Sequence, residues 1–225
     1  MSTRQPEHHP SEAVLVAYGS GSLGEGLALV VATHLLYCAA CRSKARDVEA
    51  LGGALLEELP PAALAEDAYA KILPRLGAVE AKPAPQHRPP ANGGFSPPGP
   101  LSDYLGGHIS ENDWRRIMPG LSRVAVLPRG KTGANTQLLR VSPGTALAHH
   151  GHHGHRGLEL TVVLQGGYSD DLGHFGMGDV AETDDSIRHR PMADPGADCI
   201  CLIATSGRLR FSGLIGRLIQ PFIGM

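Results

Sequence analysis

His34, Cys38 and Cys41 stand in the spacing His-x3-Cys-x2-Cys, and His8 and His9 lie upstream of them. On a helix, positions i, i+4 and i+7 fall on one face. His34 and Cys38 are therefore expected to project together, with Cys41 a turn later at or near the helix end. Two thiolates and two imidazoles complete a closed tetrahedral Zn²⁺ shell, the usual form of a structural zinc site. Such a site holds together short helices that cannot bury enough core alone. The competing reading makes Cys38 and Cys41 ordinary buried thiols on an apolar helix face. His9 is the candidate fourth ligand, and His8 competes with it.

The four cysteines fall in two close pairs, Cys38/Cys41 and Cys199/Cys201. That arrangement suits metal or redox chemistry in a reducing compartment better than a secreted disulfide framework. A net charge of -2 gives no electrostatic case for binding nucleic acid. Residues 1–10 are polar, with Arg4, Glu7, His8 and His9, and do not read as a signal peptide. The apolar stretch 27–36 is too short to span a bilayer and contains His34. The expectation is a soluble, cytoplasmic protein with no membrane partner.

Residues 1–77 read as a small helical domain. Ser11 is a candidate N-cap ahead of Val14, Leu15 and Tyr18, and Gly19, Gly21 and Gly24 break that first helix. A second helix is expected over about 25–38. A third is expected after Cys41, ending before Pro60, with Val48, Leu51, Leu55 and Leu59 at three- and four-residue steps. Residues 64–73 suit a fourth helix that Pro74 ends or kinks. Residues 78–100 carry seven prolines and read as a linker. From residue 101 to 225 the pattern becomes β. Strand-like runs at 124–127, 137–141, 159–164, 199–204 and 209–211 alternate with Pro-Gly and Gly-Gly turns, which points to a sandwich or double-sheet barrel. The apolar tail 214–223 suits a final strand or a helix. Trp114 with Arg115 and Arg116 is expected to cover the barrel edge, and His87, His108 and His174 to lie on the surface or in loops.

A second constellation lies within this β region. His153-x-His155-x3-Glu159 places two imidazoles and a carboxylate on adjacent strand positions, where i and i+2 share a face. His189 is a fourth candidate. Three nitrogens and one oxygen suit Zn²⁺, Mn²⁺ or Fe²⁺. His150-x-His152 is an alternative pair, but it leaves Glu159 at a different spacing. A glutamate in an apolar strand needs a partner to offset its burial, which favours a metal site over an incidental His-rich loop. Cys199 and Cys201 share one strand face; they read as small buried hydrophobes, with a redox or auxiliary metal role as the alternative.

From His153 to Gly166 the pattern resembles the first cupin motif, His-x-His-x3-Glu-x6-Gly. The second cupin motif is degraded, with Asp184, Ser186 and Ala193 at three of its positions, yet His189 keeps its distance from Gly178. Helices carrying His9, His34, Cys38 and Cys41, joined by a Pro-rich stretch to a cupin, resemble the ChrR-type zinc-binding anti-sigma factors. The strings LVVATH at 29–34, GHRGLELT at 154–161, VLQG at 163–166 and DCICL at 198–202 fit the same family.

The resemblance implies a multi-domain α plus β protein: an N-terminal zinc-bound helical domain and a C-terminal cupin, a double-stranded β-helix or jelly-roll barrel. It implies a cytoplasmic, non-enzymatic repressor that binds an ECF-type sigma factor one to one, with no direct nucleic-acid contact. Its zinc ligands would be His9, His34, Cys38 and Cys41, the family spacing favouring His9 over His8. His153, His155, Glu159 and His189 would hold a second zinc or another divalent metal in a cupin that senses oxidative stress, singlet oxygen or organic hydroperoxide. Exposed apolar helix faces would then be a partner surface. The alternative is a metal-dependent cupin enzyme such as a dioxygenase. A DNA-binding repressor would need a basic stripe that this chain lacks.

Overall fold

Two neighbouring strands that are apolar on both faces organise the molecule. The computed structural model describes residues 5–76, 94–127, 134–147, 157–184 and 189–206. Strands β4 (Glu159–Gln165) and β9 (Cys199–Thr205) pair antiparallel. Successive side chains of a strand point to opposite faces. Leu160, Val162 and Leu164 therefore join Ile200, Leu202 and Ala204 in one apolar cluster, while Val163, Cys199 and Cys201 join a second. These strands sit within a six-stranded sheet of order β1-β2-β3-β9-β4-β7. Its other members are β1 (Arg115–Met118), β2 (Leu121–Leu127), β3 (Asn135–Val141) and β7 (Val180–Thr183).

A smaller sheet of order β6-β5-β8 faces it. It is built from β5 (Gly167–Asp170), β6 (Gly173–Gly176) and β8 (Met192–Ala193). Tyr168, Phe175 and Ala193 of that sheet pack with Val141, Val163, Cys199 and Cys201, forming the barrel interior. Gly166 turns the chain from one sheet to the other at φ +66°, and a Cβ there would lie 2.7 Å from the Asp198 carbonyl oxygen. Only glycine fits that close approach.

The outer face of the large sheet is apolar because a helix covers it. Helix α2 (Glu25–Tyr37) buries Leu27, Leu29, Val30, Val31, Thr33 and His34. It lies against β3, β4 and β9 on one side and against three other helices on the rest. These are α1 (Glu12–Gly19), α3 (Ala39–Glu57) and α5 (Gly99–Leu105). An all-round apolar helix is stable only when covered on all sides. Ser11 caps α1 as expected, its side chain accepting from Val14 N–H at 3.3 Å. Helix α3 buries only Cys41 and Ala45. Its C-terminal half, with Leu51, Leu55 and Leu56, is exposed, and so are Leu59, Leu64 and the apolar residues of α4 (Ala68–Leu76).

Several boundaries differ from the sequence expectations. The second helix stops at Tyr37, and the third begins at Ala39 rather than after Cys41. The fourth starts at Ala68 rather than Leu64 and runs two residues past Pro74, which removes a single backbone hydrogen bond from it. Residues 94–100 belong to the folded part despite their prolines. Phe95 pairs with Ile109 in an isolated bridge, and Pro98 and Pro100 occupy the start of α5, where a missing N–H costs nothing. The rest of the expected linker, the strand at 209–211 and the tail 214–223 lie outside the described residues. Trp114, just before edge strand β1, is buried, with the Arg140 guanidinium 4.7 Å over its ring.

Leu202 is fully buried between the sheet and the helices. Leu202→Ala is expected to lower unfolding stability by about 2–5 kcal/mol, read by urea denaturation. A loss well below 1 kcal/mol would contradict the helix-on-sheet packing.

Candidate metal centre

His9 lies on the extended segment before Ser11, so no helix sets its position. His34 sits in the last turn of α2, fully buried. Cys38 is the junction itself, with extended dihedrals (φ -110°, ψ 105°), and serves as N-cap of α3. Its sulfur accepts from the Cys41 N–H at 3.4 Å, a capping role usually filled by an oxygen. That bond explains why the helix breaks at Cys38 instead of continuing to it. Cys41 then falls in the first turn of the next helix, facing back toward His34.

The ligand atoms of His9, His34, Cys38 and Cys41 all lie within 4.8 Å of one another. His9 Nδ1 is 3.4 Å from Cys38 Sγ and 3.5 Å from Cys41 Sγ. Tetrahedral Zn²⁺ with its usual Zn–S and Zn–N lengths would separate N and S by about 3.5 Å. His34 Nδ1 lies 2.7 Å from the carbonyl oxygen of Gly178, so it is the nitrogen that carries the proton. His34 Nε2 is buried without a hydrogen-bond partner. A buried acceptor left unpaired is costly, and a cation satisfies it.

Burial holds His34 below the ordinary imidazole range, which keeps it neutral as a ligand must be. Burial, followed by the neighbouring Cys38 thiol, pushes the Cys41 thiol up to about 12. A divalent cation bound at Cys41 would reverse that balance. These four residues can hold a metal ion. His8 is not among them: its ring lies against Phe175, tilted by 32° with centroids 4.3 Å apart.

The barrel brings together part of the second constellation. Glu159 opens β4 opposite Thr183 of β7, whose hydroxyl lies 3.5 Å from Glu159 Oε1. Burial raises the Glu159 carboxyl, while His189 and Thr183 draw it back down. His189 Nδ1 is 2.7 Å from Asp170 Oδ2, and the Asp170 side chain is wholly buried. This leaves His189 Nε2 as the nitrogen available to a ligand. His153 and His155, with the alternative pair His150 and His152, lie outside the described residues. Cys199 and Cys201 are buried with sulfurs 3.5 Å apart. The Cys199 hydrogen bond, and then burial, push the Cys201 thiol well above its usual range, an environment that disfavours its thiolate. His174, expected on the surface or in a loop, is half-exposed on strand β6 and pairs with Asp194 at 2.8 Å.

Sequence reasoning missed Asp170 and the Gly178 carbonyl. Asp170 belongs to no motif, and a backbone oxygen leaves no trace in residue type. The alternation of Tyr168 and Asp170 along β5, both facing the barrel interior, is the one signal that was present.

The family described as the ChrR Cupin-like domain matches residues 104–207. Anti-sigma-E factor ChrR of Cereibacter sphaeroides is 43% identical over 215 residues, covering 96% of this chain and 97% of that protein. Among solved structures, the crystal structure of Rhodobacter sphaeroides SigE in complex with the anti-sigma ChrR matches with a TM-score of 0.74 and 39% identity. That match covers 90% of this chain and all of the other. Identity at this level, spread across the helices as well as the barrel, shows that the chain belongs to the ChrR family of anti-sigma factors.

Proposed function

We propose that this chain binds an ECF-type sigma factor one to one and inhibits it, releasing it under oxidative stress from singlet oxygen or organic hydroperoxide. The reading rests on the near full-length match to a relative named as an anti-sigma factor, together with a solved complex of such a protein with SigE. Residues 1–77 are the proposed sigma-binding domain and residues 101–225 the proposed sensor, with residues 78–100 between them, of which 94–100 pack as part of the fold. The protein works as a cytoplasmic regulator, with no catalytic turnover. Among the described residues, no helix is long and apolar enough to cross a membrane.

The physical support is an unpartnered apolar surface. Leu51, Leu55, Leu56 and Leu59, with Leu64, Tyr69, Ile72, Leu73 and Leu76, are all about half exposed or more. Exposed apolar side chains in such number suit a protein–protein contact. This surface begins on the helix that Cys41 anchors, so the metal centre sets the angle at which it leaves the barrel. His9, His34, Cys38 and Cys41 would hold zinc, whose role is to fix three chain segments rather than to do chemistry. His153, His155, Glu159 and His189 would hold a second zinc or another divalent metal in the sensor. A four-residue shell there leaves little room for a substrate and suits sensing.

Metal analysis of the purified protein is expected to give zinc that Cys38→Ser and His9→Ala lose from the helical site and His8→Ala retains. The Cys38→Ser protein is also expected to lose sigma binding. Inhibition at wild-type strength by that variant would overturn the zinc role. Leu55→Asp together with Leu59→Asp leaves the buried core untouched and is expected to weaken sigma binding at least about thirtyfold, measured by calorimetry. Unchanged affinity would place the sigma contact elsewhere.

A further inference from the structure

We propose that Asp179, in the turn between β6 and β7, is a positioning residue of the helical metal centre, so that the barrel closes a site whose donors all lie in the helical half. The proposal rests on the reading of His9, His34, Cys38 and Cys41 as metal ligands.

Asp179 is fully buried. Its Oδ1 accepts from the backbone N–H of Glu7 at 2.6 Å and of His8 at 3.0 Å. Its Oδ2 accepts from Gly176 N–H at 2.8 Å. One carboxylate oxygen therefore holds the barrel's own turn, and the other holds the segment that leads into His9. The Val180 N–H then donates to the His8 carbonyl at 3.1 Å. Ser11 donates to Glu182 through its backbone N–H at 2.8 Å and its hydroxyl at 3.0 Å. Residues 7–11 thus run along the outer edge of β7, with His9 between anchors on either side.

His9 is exposed and belongs to no helix, so its place beside the sulfurs follows from these anchors. The same turn supplies the Gly178 carbonyl that accepts from His34 Nδ1. Gly178 adopts φ +90°, and a Cβ there would fall 2.9 Å from Tyr37 Cβ and 3.0 Å from Pro6 Cγ. The turn is wedged between the end of α2 and the chain just before His9. Two of the four ligands therefore take their positions from residues 176–180, and a displacement of that turn loosens both together.

The test uses the full-length protein loaded with Zn²⁺, or with Co²⁺, whose thiolate absorption reports only the cysteine-ligated site. Metal release into excess chelator is timed. Asp179→Asn preserves volume but sets an amide NH₂ against a backbone N–H. It is expected to release metal about 10–100-fold faster, with shifted Co²⁺ bands. Val141→Ala weakens the barrel interior away from the turn and is expected to release metal at the wild-type rate, which separates positioning from general destabilisation. Glu182→Ala removes the anchor at Ser11 and is expected to quicken release several-fold; it decides the matter where Asp179→Asn does not fold. A wild-type release rate in folded Asp179→Asn would overturn the proposal, as would equal acceleration by Val141→Ala or, where Asp179→Asn does not fold, a wild-type rate in Glu182→Ala. A wild-type protein that binds no metal through Cys38 and Cys41 would instead overturn the underlying metal reading.

Discussion

The contact between His34 Nδ1 and the Gly178 carbonyl oxygen is the constraint on which the arrangement turns. Helix α2 is apolar on every side and needs cover from both the sheet and the other helices. Placing an imidazole at its buried end is unfavourable unless both ring nitrogens are satisfied. The carbonyl satisfies one, and by taking the proton it fixes the tautomer that turns a lone pair toward Cys38, Cys41 and His9. This bond thus ties the end of α2 to the barrel, orients a candidate ligand, and leaves His34 Nε2 free of hydrogen bonds where a cation would satisfy it.

That placement divides the helical part into two surfaces with different duties. The inner one, with Val14, Leu15, Leu27, Leu29, Val30 and Val31, shares an apolar cluster with Leu160, Val162 and Leu202 of the sheet. The outer one, the C-terminal half of α3 with α4, has no cover of its own. The candidate metal centre lies where the two meet, at the start of α3. Hydrophobic burial fixes α2 without help. The direction of α3 depends more on the junction at Cys38, because α3 buries only Cys41 and Ala45. A closed four-ligand shell is an efficient way to stiffen a junction whose packing is this thin.

Much of this was legible in the sequence, and the reasons for the gaps are physical. The spacing of His34, Cys38 and Cys41 pointed to candidate ligands that the structure does bring together. The helix break inside it was hidden, because a cysteine acting as N-cap through sulfur has no place among the usual capping residues. The four longest strands stood out because seven residues of alternating or β-branched pattern carry a strong period. Strands β5, β6, β7 and β8, of two to four residues, carry too few positions to show one. The choice between His8 and His9 could be made from spacing only by resemblance. In space the two residues simply face opposite ways along an extended segment, His9 toward the sulfurs and His8 onto Phe175.

The same geometry brings the two candidate sites closer than their separation in sequence implies. Strand β7 has Val180 hydrogen-bonded to the segment that carries His9 at one end, and Thr183 opposite Glu159 at the other. Three residue steps of strand separate these ends, about 10 Å. β7 is an edge strand of the large sheet, paired with β4 on one side and with residues 7–11 on the other, so it is less constrained than β4 or β9. Glu159 stands opposite Thr183 of β7 and Thr205 of β9, and β7 is in turn hydrogen-bonded to the segment that carries His9. Of the four candidate ligands, His34 directly and His9 through its neighbour His8 are therefore held by hydrogen bonds to the barrel as well as by their own segments.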